Sequence, residues 1–194
     1  MTEAPPEPPA LSPIAAVEVL EEFRGADLHD LSDAADLAIK EGGGFGWVNP
    51  PPRDTMERYW HGVLAVPGRS LFVGRLDGVI AGSVQLVRPS RNNEARSFAA
   101  YLTTHFVAPW ARGHGLARLL VEAVEAEARA GGFELLQLHV RATQEAAIRL
   151  YESLGYVYWG TNPFYARVHG RTIAGRYYYK LLSDPTAPAE DPFR

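Results

Sequence analysis

Cysteine is absent from this 194-residue chain. That excludes disulfides, thiolate-bound metals and any covalent acyl-cysteine step, and it fits a reducing cytoplasm, the expected location. An excess of positive charge is also missing. The net charge is −4, so no basic surface argues for a nucleic-acid partner. No apolar run approaches the roughly 18 residues of a membrane span, so no membrane partner is expected. The six histidines show no His-x3-His spacing, so no metal site is expected. What remains, 46% hydrophobic and 22% charged residues, suits a soluble globular protein with a sizeable core.

The acidic, proline-rich start is the opposite of a signal peptide. Residues 1–13 and 184–194 are expected to be flexible tails, with a single domain over 14–183. Hydrophobic spacing predicts a weak first strand at Ala15–Leu20 and a helix over Asp27–Lys40. A loop follows that is rich in glycine and proline. Asp54 or Thr55 is expected to cap a second helix ending near Val66. Strands are expected at Ser70–Arg75 and Val79–Val87, joined at Asp77-Gly78, and at Phe98–Val107. A helix over Leu116–Ala130 stops at Gly131-Gly132. Then come a buried strand (Glu134–Val140), a helix (Thr143–Leu154), a short strand (Tyr156–Trp159), a loop over 160–171 and a last strand (Thr172–Leu182). This order implies an α/β chain of the α+β type. Its mixed, mostly antiparallel sheet would have about seven strands flanked by about four helices.

The most informative stretch is Val107-Ala108-Pro109-Trp110-Ala111-Arg112-Gly113-His114-Gly115-Leu116-Ala117-Arg118. A glycine turn that delivers a strand into a helix N-terminus presents free N–H groups and the positive end of the helix dipole. Arg112 and Arg118 add charge on either side, and an anion such as phosphate fits there. The stretch lacks the Gly-Lys-Ser/Thr ending of a Walker loop and the third glycine of a dinucleotide fingerprint, since position 118 is Arg.

The spacing Arg112-x-x-Gly115-x-Ala117 resembles the pyrophosphate loop of the GCN5-related N-acetyltransferase (GNAT) superfamily. The run Gln144-Glu145-Ala146-Ala147-Ile148-Arg149-Leu150-Tyr151-Glu152-Ser153-Leu154-Gly155-Tyr156 is similar to that superfamily's second signature. The resemblance covers roughly residues 16–182. It implies the GNAT fold and direct transfer of an acetyl group from acetyl-CoA, a co-substrate, to a primary amine. It implies that Phe106, Val107, Arg112, Gly113, His114, Gly115, Ala117, Arg118 and Gln144 meet the cofactor, with His114 solvent-facing beside the phosphates. Gln144 departs from the asparagine common there. The family often dimerises, which leaves a homodimer open. Patches such as Gly43–Trp47, Ser83-Val84-Gln85-Leu86 and Asn162-Pro163-Phe164-Tyr165-Ala166 look like the tabtoxin-resistance acetyltransferase subgroup, which acetylates an amino-acid-like toxin.

The chemistry requires a group that takes a proton from the amine and a group that gives one to the thiolate. The resemblance points to Tyr151 as the acid, although the residue also falls on an apolar helix face. His105, two residues before Val107, is the first candidate for the base; a packed histidine is the plain alternative. Glu94, His139 or a water chain could serve instead. Phe45 and Trp47 could form part of an acceptor lid or merely pack a connector. Tyr165 and Arg167, with His169 and Arg171, could close on an acceptor carboxylate, which arginine suits by its bidentate geometry, or could form a solvated turn. The leading expectation is a small-molecule amine acceptor. A peptide or protein N-terminus, and a non-catalytic acyl-CoA-binding protein, are the alternatives.

Overall fold

The computed structural model describes residues 12–43 and 45–183. The two expected tails, apart from Ser12 and Pro13, lie outside the described residues. The elements are β1 (Ala15–Leu20), α1 (Asp27–Lys40), α2 (Arg53–Ala65), β2 (Arg69–Leu76), β3 (Val79–Val87), β4 (Ala99–Val107), α3 (Leu116–Ala130), β5 (Leu135–Arg141), α4 (Glu145–Ser153), β6 (Val157–Val168) and β7 (Arg171–Leu181). The strands form one seven-stranded sheet in the order β1-β2-β3-β4-β5-β7-β6. Every pairing is antiparallel except β4 with β5. The expected architecture is therefore present.

Two cores lie on opposite faces of the sheet. On one face, Leu116, Leu120, Val121 and Val124 of α3 and Ile148 and Tyr151 of α4 pack against Leu102, Leu136, Leu138 and Tyr178. On the other, Leu31, Ala35 and Ile39 of α1 and Met56 and Trp60 of α2 pack against Leu71, Val73, Ile80 and Phe106. Strand alternation decides which residues reach which core. Leu136 and Leu138 face α3 and α4, so His139 and Arg141 are turned toward the α1/α2 side or its open end. Tyr178 is fully buried between Tyr177 and Tyr179, which point the other way.

Three local features depart from the expected pattern. The proposed cap at Asp54 or Thr55 is not made. Pro52 is the N-cap with no side-chain hydrogen bond, and the helix begins at Arg53. The expected loop over 160–171 is mostly strand: β6 runs to Val168 and turns at His169-Gly170 into β7. Its glycine, asparagine and proline are absorbed by register irregularities at Tyr158/Gly160 and Asn162/Ala166. Pro163 lies within the second, where its missing N–H breaks no ladder. Finally, β4 carries a bulge opposite Val84, since Ser83 pairs with Phe106 but Gln85 with Thr103. Thr104 sits in this bulge at a φ of 53°, a strained conformation for a β-branched residue.

Candidate active site

β4 and β5 pair only from Ala99 to Tyr101, against Leu135 to Gln137. Beyond that point they separate, and β5 continues alongside β7 alone. The gap opens a cleft of about 510 Å³, lined by β4 from Leu102 to His105, β5 from Leu138 to Arg141, α4, Phe45 and Tyr165. The Ala108 N–H donates to the Ala81 carbonyl at 2.7 Å, toward β3. By alternation the peptide groups of Val107 point into the gap, whereas those of Phe106 face β3. The Phe106 ring is buried in the α1/α2 core and stacks on Phe45 at 5.0 Å. Of the two residues expected on this edge, only Val107 offers a backbone donor to the cleft.

The glycine turn lies at the near end of the gap. Gly113 and Gly115 have φ of 85° and 77°, and a Cβ on either would meet nothing within 4 Å. Gly115 is the N-cap of α3 without a side-chain cap. Arg118 and Leu119 donate to its carbonyl; among the described residues no amide from Gly113 to Ala117 donates to a backbone carbonyl. Open space, free amides and a helix N-terminus together fit an anion such as a pyrophosphate. His114 is exposed, with Nδ1 at 3.3 Å from the Ala111 carbonyl. The two flanking arginines are engaged. Arg112 pairs with Glu41 at 2.6 Å, and Arg118 donates to Ser153 Oγ at 2.9 Å and approaches Glu122 at 3.7 Å. Gln144 donates to the Gly42 carbonyl at 2.8 Å. Arg112 and Gln144 therefore hold the loop after α1 in place.

Inside the cleft, His105 Nδ1 lies 2.9 Å from Tyr151 Oη. The bulge at Thr104 turns His105 toward α4, opposite to Phe106. Burial pushes the Tyr151 phenol well above its ordinary value and pulls His105 down to about 4. His105 Nε2 is buried with no hydrogen-bond partner among the described residues. The expectation that His105 takes a proton from an ammonium therefore meets two obstacles: Tyr151 occupies Nδ1 while the other nitrogen is buried, and a group with so low a pKa is a weak base near pH 7.

A second pair stands on the opposite face of the sheet. His139 Nδ1 lies 2.6 Å from Tyr165 Oη. Burial lowers His139 and raises Tyr165. Arg141 and Arg167 line the same cleft, and among the described lining residues there is no carboxylate. Trp47 does not line it; its ring packs on Tyr59 at 4.9 Å, and its carbonyl is 3.5 Å from an Arg141 nitrogen. Phe45, Tyr165 and Arg167 do line it, so the structure brings together three of the four residues expected around an acceptor. Sequence reasoning left out Arg141. The signal was available, since it stands two positions after His139 and thus on the same face of β5. Glu94 is exposed on a short 3₁₀ turn away from the cleft. Among the described residues no cluster of three metal-ligating side chains occurs, and no helix is long and apolar enough to cross a membrane.

The sequence profile of the acetyltransferase (GNAT) family matches residues 34–156. A curated relative from Azospirillum brasilense, an uncharacterized N-acetyltransferase encoded in the hisH-hisA intergenic region, is 70% identical over 128 residues. That match spans 66% of this chain and 76% of the relative. The crystal structure of an N-acetyltransferase from Staphylococcus aureus Mu50 superposes with a TM-score of 0.74 at 20% identity, covering 88% of this chain and 99% of that one. A phosphinothricin acetyltransferase from Sinorhizobium meliloti, solved in complex with acetyl-CoA, gives 0.71 at 20% identity, covering 89% and 91%.

Proposed function

Since the chain belongs to the acetyltransferase (GNAT) family and is an N-acetyltransferase, we propose that its acceptor is the primary amine of a small molecule that also carries an anionic group. The observation behind this reading is the charge of the cleft: Arg141 and Arg167 with no carboxylate among the described lining residues. Such a lining disfavours a polyamine and suits an amino-acid-like molecule, whose carboxylate an arginine can hold in bidentate fashion. An amino-β-lactam is one member of that class. We place the reaction in the cytoplasm, in keeping with a chain free of cysteine.

Bound acetyl-CoA supplies the acetyl group as an activated thioester. The amides around Gly113 and Gly115 would hold its pyrophosphate, and the Val107 N–H would donate to the acyl oxygen. Tyr151 keeps its proton because burial disfavours the phenolate, and that proton is available to sulfur as the thiolate departs. His105 acts through Tyr151. When its Nδ1–H donates to the phenol oxygen, the phenol hydrogen is free to turn into the cleft.

The test compares L-α-amino acids, their methyl esters and linear polyamines by the release of CoA thiol. Free amino acids should be acetylated with kcat/KM at least about tenfold above their esters, because loss of the charged partner forfeits a charge-assisted hydrogen bond. Equal rates with esters, or a preference for polyamines, would overturn the anionic-acceptor reading.

A further inference from the structure

We infer that His139 accepts the proton of the incoming ammonium, and that Tyr165, laid across a bare Gly175, sets the tautomer that lets it do so. The inference rests on the acetyltransfer reading above.

The geometry is specific. His139 is on β5 and Tyr165 on β6, with β7 between them in the sheet. A side chain does not ordinarily reach across an intervening strand, because that strand's own side chains fill the space. Here two features clear the path. The irregularity between Asn162 and Ala166 frees Tyr165 from regular pairing. The β7 residue beneath its ring is Gly175, where a Cβ would stand 2.2 Å from Tyr165 Cγ and 2.4 Å from Cδ2. The hydroxyl then reaches His139 Nδ1 at 2.6 Å, and the imidazole lies tilted against the Tyr177 ring, centroids 5.6 Å apart. Nε2 has no hydrogen-bond partner among the described residues, and the side chain is exposed where it lines the cleft.

One contact with a neutral phenol decides the function of the other nitrogen. If Nδ1–H donates to Tyr165, Nε2 bears a lone pair and can take a proton. If the phenol donates to Nδ1, Nε2 bears hydrogen and cannot. The groups around His139 are Tyr165 of β6, Tyr177 of β7 and Arg141 of its own strand, with Arg167 lining the same cleft. None of these is a carboxylate, and burial also favours the neutral ring, so nothing locks the histidine in its charged form.

The proton balance closes. The ammonium gives one proton to His139, and the freed lone pair forms the C–N bond. The C–S bond breaks with its electron pair on sulfur, which takes a proton on the Tyr151 side. The nitrogen sheds its second proton as the amide forms, and one proton in all is released to water.

The test uses the full chain labelled with 15N-histidine. Long-range 1H–15N correlation at pH 8, with His139→Gln for assignment, should show His139 protonated at Nδ1 and bare at Nε2. Tyr165→Phe should mix or reverse that tautomer. In the amino-acid assay, His139→Gln should lower kcat/KM about 100-fold and remove its ionisation from the acid limb of the pH profile, with acetyl-CoA affinity unchanged. Gly175→Ala should lower kcat/KM about tenfold by displacing Tyr165; if it does not fold, Tyr165→Phe, expected to lose a similar factor, carries the same point. Protonation at Nε2 in the native chain, or a His139→Gln variant with native kcat/KM and acid limb, would overturn the inference. Failure to bind acetyl-CoA or to acetylate any amine would instead count against the acetyltransfer reading, and the tautomer would still be decided.

Discussion

His105–Tyr151 and His139–Tyr165 stand on opposite faces of one sheet, at the two sides of the same cleft. In the first pair the tyrosine is 4% exposed and the histidine has an unpartnered buried nitrogen. In the second, the histidine is exposed and lines the cleft, and its Nε2 has no hydrogen-bond partner among the described residues. The same two side chains thus differ in what they can do. Burial makes Tyr151 hold its proton firmly until a developing anion needs it, and makes His105 a fixed neutral partner. Exposure leaves His139 able to exchange protons with water. Composition alone does not distinguish a structural dyad from an acid or a base; access of the second nitrogen to the cleft does.

The widest separation between the pairs should come from Tyr151→Phe. It should lower kcat by about 100-fold or more while acetyl-CoA affinity stays within about twofold, as read by single-turnover kinetics and calorimetry. An equal loss in affinity would make Tyr151 a packing residue only. His105→Ala should come next. It leaves the Tyr151 hydroxyl buried without its partner, which costs about 1–3 kcal/mol of stability and roughly tenfold in kcat. His105→Asn, able to keep one hydrogen bond to Tyr151, should recover most of both. Urea denaturation and steady-state rates of the two variants check this.

The buried pair should also show a pH signature that the open pair lacks in comparable size. His105 is lowered by burial from 6.5 to about 4. Between those values the unfolded chain binds a proton that the folded chain refuses. Its favourable contribution is therefore present above about pH 6.5 and lost as pH falls toward 4, on the order of 3 kcal/mol. Urea midpoints measured across pH 4 to 7 should fall less steeply in His105→Asn than in the native chain. The smallest effect is expected from Thr104→Gly, which relieves a β-branched residue at positive φ. It should add about 1 kcal/mol or less to stability, since glycine also frees the unfolded chain. A loss of stability there would mean that the bulge aiming His105 is held by the threonine side chain itself.

Much of the frame was legible in the sequence. Helices α1 and α3 begin and end where their apolar spacing and glycine stops place them. The glycine turn was legible because Gly113 and Gly115 fall between a strand-like run and a helix-like run, and both take positive φ. β6 was not, because Gly160, Asn162 and Pro163 look like chain breakers while the strand accommodates them as irregularities. The misplaced loop also hid the second pair. Tyr165 was visible as a candidate, and so was His139, but their meeting depends on a bulge and on a bare Gly175, which local pattern does not report. His105 could be picked out by its place on β4. Its role could not, because the bulge that turns it toward Tyr151, 46 residues away, is a tertiary feature.

The most direct test of the cleft as an acetyl-donor site is a calorimetric titration of acetyl-CoA into the full chain, without acceptor, paired with thermal unfolding. Saturable one-to-one binding is predicted, with stability raised by roughly 2.7 kcal/mol at 100 times Kd. No heat and no shift would contradict it, since neither pair would then have a thioester to act on.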